Sequence, residues 1–269
     1  MTGRSLHDAL LRALTSAELR GRLGDGAPGI PLGPEETETL RRADPDRLRR
    51  LARFMGRHFY RERIVRLFAA SRRLARERGR DPLALLETPA FGALLEAAEV
   101  GSAGSAERVA SLAEADLRET LGELAHARDL VAYEGALFRV EAGPRRWRDS
   151  AREGYAPARA PSARIIVLEW DVTGLVAAAR RGDTVLPVPT RNPTRLLITL
   201  TPDGRVTTVR SSDALEGLLD ALDGHRAPAE VAARVGVAEA DAARLLRELT
   251  DVGGVVWPPR SDSKLSLAD

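Results

Sequence analysis

Cysteine is absent from the 269 residues, and lysine occurs once, at Lys264. A chain without cysteine forms no disulfides, builds no thiolate metal site and has no thiol nucleophile, which fits a reducing compartment. Histidine is nearly as scarce. His7, His58, His126 and His225 are scattered and show no metal-ligand spacing. No apolar run approaches the ~20 residues of a membrane span, and Met1-Thr-Gly-Arg-Ser-Leu6 lacks the apolar core of a signal peptide. Gly-x-Ser-x-Gly, Walker, Gly-x-Gly-x-x-Gly and His-Glu-x-x-His motifs are all missing. These absences predict a cytoplasmic protein with no membrane partner, and no metal or cofactor of its own.

What is present is a folded chain. A hydrophobic content of 43% is ample for a packed core, and the length suits one large domain or two ordinary ones. The net charge is only +2, while the pI of about 9.5 reflects basic residues that are almost all arginine. Coding in a GC-rich genome explains that bias. Acidic residues are plentiful but lie at salt-bridge spacing along helix faces, where solvated pairs are expected rather than catalytic ones.

Residues 5 to 23 carry leucines at helical spacing, and 24 to 33 are a Gly- and Pro-rich loop. Asp44-Pro45 is a helix start, with Asp as cap and Pro in the first turn. From there to about Arg78 the pattern predicts one long helix or two end to end. Leu48, Leu51, Met55, Phe59, Ile64, Leu67, Phe68 and Leu74 form its expected buried stripe, and arginines crowd the other face. Shorter helices are predicted at about 82–87 and 89–99, and 106 to 141 is predicted helical with Glu134 exposed. Residues 1–143 thus read as an all-α bundle, 144–163 as a connector without periodicity, 164–258 as a second domain and 259–269 as a tail.

Within the second domain, Arg164 to Val172 reads as a strand and Gly174 to Arg181 as a short helix. Pro187, Pro189 and Pro193 mark an extended crossing. Runs 195–200 and 205–210 flank Thr201-Pro-Asp-Gly204, a hairpin signal because Pro presets φ and Gly accepts positive φ. Three helices follow. The first is capped by Ser211 or Ser212 and ends at Asp223-Gly224, the second runs from Pro228 to Val235, and the third from Ala238 to Val252. The fold class expected is α+β: an N-terminal helical bundle, then a winged-helix-like unit of a three-stranded sheet plus three helices.

The phrase Leu218-Leu-Asp-Ala-Leu-Asp-Gly-His-Arg-Ala-Pro-Ala-Glu-Val231, with Leu245-Leu-Arg-Glu-Leu249 and Gly253-Gly-Val-Val256, resembles the PqqD-type peptide-recognition domain. Such domains bind leader peptides of ribosomally made, post-translationally modified peptides. A second resemblance covers the first half. His58-Phe-Tyr-Arg-Glu-Arg-Ile-Val-Arg-Leu-Phe68, the Thr-Pro-x-Phe turn at 88–91 and Leu130-Val-x-Tyr-Glu-x-Ala-Leu-Phe138 look like accessory proteins of multinuclear iron-dependent oxidases. Two features depart from that pattern: a long segment from Thr173 to Pro193, and the tail after Pro258.

The resemblance implies a non-enzymatic partner subunit that binds a precursor peptide and presents it to the oxidase, with iron in the partner and not in this chain. It implies strand addition at a sheet edge made of Arg205, Val206, Thr207, Thr208, Val209 and Arg210. Arg244, Leu245, Arg247 and Glu248 of the last helix would form the other wall. Contact with the oxidase falls on Arg57, His58, Tyr60, Arg61, Arg63 and Tyr133. The alternative reading is a DNA-binding transcription regulator with helix 238–252 in the groove. Glu239, Asp241, Glu248 and Asp251 make that helix a poor complement for phosphate.

Overall fold

The computed structural model describes residues 2–22, 32–97, 99–142 and 156–257. Most of the 24–33 loop, the first part of the 144–163 connector and the 259–269 tail lie outside the described residues. The first half contains α1 (Thr2–Thr15), α2 (Ala17–Gly21), α3 (Pro34–Arg41), α4 (Pro45–Leu67), α5 (Ala69–Glu77), α6 (Pro89–Ala97), α7 (Ala103–Leu121) and α8 (Ala127–Ala142). The second half contains β1 (Ala158–Arg159), β2 (Arg164–Asp171), α9 (Thr173–Arg181), β3 (Thr190–Leu200), β4 (Val206–Arg210), α10 (Asp213–Ala221), α11 (Pro228–Val235), α12 (Glu239–Asp251) and β5 (Val255–Val256). The fold is α+β. Among the described residues, no helix is long and apolar enough to cross a membrane.

Asp44 caps α4 by accepting from the Asp46 amide at 2.9 Å, with Pro45 in the first turn. The buried side of α4 is Ala52, Gly56, Tyr60, Ile64 and Leu67, a stripe rotated from the one expected. Small residues explain the rotation. A Cβ on Gly56 would meet Leu95 Cδ2 at 3.0 Å and Val100 Cγ2 at 3.3 Å, so α6 and the turn after it lie directly on the helix backbone. Leu51, Phe54 and Met55 are therefore turned outward. The helix breaks at Phe68 (φ −96°, ψ 42°), where α5 begins.

The predicted helix 106–141 is two helices that pack on each other. After Leu121 the chain reverses through turns in which Leu124 donates to the Leu121 carbonyl and Ala127 to the Leu124 carbonyl. The second of the pair, α8, is buried at thirteen of its sixteen positions. Val131, Phe138 and Ala142 join the bundle core with Tyr60, Phe68 and Phe91. Leu130, Tyr133, Leu137 and Val140 join a second core with Leu168, Leu196, Ile198 and Leu200 of the sheet. Each large apolar side chain so withdrawn contributes roughly 1.5–3 kcal/mol.

The main sheet is antiparallel in the order β2-β3-β4, with Arg164 opposite Ile198 and Leu196 opposite Arg210. Its alternate side chains serve two cores. Leu196, Ile198, Leu200 and Val206 face α8 and α9, whereas Leu197 and Val209 face α10, α11 and α12. Covering on both faces is why 196–200 reads as a nearly continuous apolar run, interrupted by the buried Thr199. The second half of the expected connector is ordered: Ala158 and Arg159 pair with Val256 and Val255, and Ala156, Ala160 and Ala163 are buried.

Strand β3 begins at Thr190, earlier than the prolines suggest. Its pairing with β2 slips by one residue between Leu168 and Trp170. That bulge, on a stretch with no β4 partner, accommodates Pro193, whose ring supplies no N–H to a ladder.

One glycine on α8 is sterically required. A Cβ on Gly135 would overlap the Glu114 carboxylate, which is ion-paired with Arg139. Gly135→Ala is expected to lower stability by about 1–3 kcal/mol. Gly217→Ala, in α10 with open space around it, should raise it by about 0.5–1 kcal/mol. Urea denaturation of both variants measures the pair, and a Gly135→Ala protein as stable as the parent would show that α7 and α8 are not held at this distance.

Candidate functional site

Strand β4 is a free edge: among the described residues it pairs only with β3. The direction of each backbone group follows from two flanking hydrogen bonds. Thr201 donates to the Arg205 carbonyl at 2.8 Å and Ser211 to the Arg195 carbonyl at 2.9 Å. In an antiparallel ladder, hydrogen-bonded pairs alternate with non-bonded ones. The register that sets Thr199 opposite Thr207 and Leu197 opposite Val209 therefore makes those two pairs the bonded ones. Thr207 and Val209 spend their N–H and C=O groups on β3. Val206, Thr208 and Arg210 point theirs away from the sheet, as acceptors and donors for an added strand.

The side chains follow the opposite logic, by face. Val206 is packed toward α8 and α9, and Thr208 Oγ1 lies 3.4 Å from the Tyr133 hydroxyl. Val209 packs with Leu245 of α12 on the core shared by Leu197, Leu219 and Leu246. Arg210 is exposed, and Arg205 is ion-paired with Asp203 at 2.6 Å. On α12, Arg244 is held by Asp241 at 2.9 Å, while Arg247 and Glu248 are exposed.

The expected wall residues of α12 thus lie on one face of the sheet. A cleft of about 1060 Å³ opens on the other face, against Gly204, Arg205 and Val206. Its walls come from the end of α4, from α5 and from the end of α9. Sequence reading did not find it, because those segments are far apart in the chain.

The expected oxidase-contact residues divide. Arg57 pairs with Glu87 at 3.2 Å, exposed His58 lies 3.3 Å from Glu62, and Arg61 is exposed. The Arg63 guanidinium stacks over the Phe59 ring at 3.5 Å. Tyr60 and Tyr133 are not surface residues. Tyr60 is fully buried, donates to Ser105 Oγ at 2.5 Å and accepts from the Gly101 amide at 3.2 Å. Tyr133 is buried between α8 and the sheet. The outward side of α4 instead shows Leu51 and Phe54, 44% and 70% exposed, beside Met55 and His58.

Glu134, expected at the surface, is completely buried. Its two oxygens accept from the amides of Ala70 and Ser71 at 2.8 and 3.0 Å, so it caps α5 from outside the helix. Nearby, Asp129 Oδ2 accepts from the amides of Glu169 and Trp170 at 2.6 and 2.8 Å, next to the sheet bulge. Among the described residues, no three His, Asp or Glu side chains converge as a metal site. Comparison with protein-family models and with curated proteins found no match.

Burial pushes the Glu134 carboxyl from the usual 4.5 to about 7, against the opposing pull of its amide donors and of Arg180. A raised carboxyl pKa means that the folded state holds a proton which the unfolded state has released. Stability should therefore decline as pH rises from about 4.5 to about 7, by up to about 3 kcal/mol from this group, and level off above. Glu134→Gln should remove that slope while weakening the α5 cap. Urea midpoints across that range test it, and equal slopes in parent and variant would show that the slope is not due to Glu134.

Proposed function

We propose that this chain is a non-catalytic partner subunit that captures a ribosomal precursor peptide along β4 and presents it to an iron-dependent oxidase. The observation that carries the reading is the free β4 edge, with outward backbone groups at Val206, Thr208 and Arg210. Strand addition uses such groups for affinity and alternate side-chain positions for specificity. The order of a hairpin and three helices after β2 supports a winged-helix-like, PqqD-like unit, as the residues at 218–231 and 245–256 suggested. The regulator reading is disfavoured by α12 itself, whose Arg244 is already occupied by Asp241.

The bundle supplies the enzyme contact in this reading. Phe54 and Leu51 form an apolar centre on α4, with His58 and Arg61 alongside, as protein interfaces place aromatic anchors within a polar surround. Co-expression with a multinuclear iron-dependent oxidase from the same genome should yield a complex that survives size exclusion at micromolar concentration. Phe54→Glu should abolish co-elution without lowering the melting temperature, since the side chain is already in water. Separate elution of the parent chain would remove the subunit reading, and co-elution of Phe54→Glu would remove this surface.

Proline scanning tests the edge. Thr207→Pro deletes an N–H that bonds to β3 and should lower the melting temperature. Thr208→Pro deletes an outward N–H and should leave the fold intact. Binding of a labelled precursor leader peptide, followed by fluorescence polarisation, should fall about tenfold or more for Thr208→Pro. Unchanged binding by a folded Thr208→Pro protein would exclude strand addition at β4.

A further inference from the structure

The cleft beside β4 is strongly basic. Six guanidinium groups line it, from Arg66, Arg72, Arg73, Arg76, Arg180 and Arg205, against the carboxylates of Glu77 and Glu141. Part of that charge is committed. Arg66 pairs with Glu141 at 2.5 Å, Arg73 with Glu77 at 3.3 Å, and Arg73 also donates to the carbonyls of Asp183 and Thr184. The guanidinium groups of Arg76 and Arg180 have no hydrogen bond or ion pair among the described residues.

Arg72 is the unusual member. It is only 7% exposed, and its Nη1 donates to the Val65 carbonyl at 2.5 Å, yet its Nε–H has no partner. A buried guanidinium donor without an acceptor is costly unless something supplies one. Burial first, and then the neighbouring charge of Arg76, depress the Arg72 pKa against the opposing pull of Asp81 and Glu134.

The position of the cleft indicates what the anion belongs to. Gly204, Arg205 and Val206 are at once its wall and the entry to β4. A peptide paired antiparallel to β4 runs from Arg210 toward Val206, so the residues after the paired stretch pass into the arginine cleft. We propose that this cleft is an anion site for a carboxylate-rich segment that continues, on its C-terminal side, from the stretch of peptide added to β4. The inference rests on the strand-addition reading and adds the chemistry of the recognised sequence: acidic residues immediately after an extended segment. Guanidinium groups take carboxylates in paired hydrogen bonds, and three of the six (Arg72, Arg76 and Arg180) are in no ion pair among the described residues.

The probe is a fluorescein-labelled decapeptide, (Thr-Val)2-Thr followed by five glutamates, compared with the same peptide ending in five glutamines. The full chain should bind the glutamate peptide at least about tenfold more tightly, and less so as salt rises. The double variant Arg76→Gln/Arg180→Gln should erase that preference, and its melting temperature should stay close to the parent's, because neither guanidinium is hydrogen-bonded or ion-paired among the described residues. Thr208→Pro should weaken both peptides. Loss with Thr208→Pro but none with the arginine variant leaves strand addition standing and overturns the cleft inference. Loss with the arginine variant but none with Thr208→Pro separates the cleft from the edge and overturns the continuity proposed. Tripolyphosphate serves as the competing arm: binding that exceeds the glutamate peptide's and depends on Arg76 and Arg180 would assign the site to a phosphate ligand and overturn the proposal.

Discussion

A helix enclosed on nearly every side cannot carry charge without compensation, yet α8 carries Asp129, Glu134, Arg139 and Glu141. Each is answered by a different element. Asp129 takes two amides at the end of β2, Glu134 takes the first amides of α5, Arg139 reaches Glu107 and Glu114 on α7, and Glu141 pairs with Arg66 at the end of α4. The apolar residues of α8 set the distance of its neighbours, while these polar groups set their rotation. Moving α8 by one residue would leave several buried polar groups unpaired at once, each at a cost of about 1–3 kcal/mol.

The same helix explains why the two halves of the chain are not separate bodies joined by a tether. One flank of α8 completes the bundle core and the other is the floor on which β2, β3 and β4 lie. Glu107 adds a further tie, accepting from Arg139 at 2.7 Å and from Arg164 at the start of β2 at 3.0 Å. A surface on α4 and an edge on β4 are thereby held in a fixed relation through one rigid element. The proposed role, holding an enzyme and a peptide at once, would use that relation, since geometry decides whether two sites can be engaged together.

Local signals were legible in the sequence. The Asp44 cap, the hairpin around Pro202 and Gly204, the Ser212 cap and the helices after it are short-range chemistry, and they stand where the residues placed them. Long-range facts were not. The α4 stripe was drawn through its largest apolar residues, whereas the close approach of α6 is at Gly56, on the buried side with Ala52 and Tyr60. Glu134 reads as a polar position on a helix until α5 is known to begin against it. The cleft needs α4, α5, α9 and β4 assembled before its arginines converge. In each case the deciding partner lies dozens of residues away, where spacing along the chain carries no information.

The sheet has two edges, and α8 treats them differently. On β2, the outward amide of Glu169 and the bulged amide of Trp170 are both consumed by Asp129, so a strand arriving there meets a carboxylate instead of free donors. On β4, the polar contact from α8 among the described residues is the Tyr133 hydroxyl, 3.4 Å from the Thr208 side chain, and it leaves the strand backbone untouched. Open edges invite self-pairing, and proteins limit this with short strands and charged ends. β4 has five residues, with Arg205 just before it and Arg210 at its end. Two copies meeting edge to edge would bring those arginines together, whereas an acidic peptide would neutralise them. The edge is thus blunted against its own kind, and under the proposed reading it is left to a strand of opposite charge.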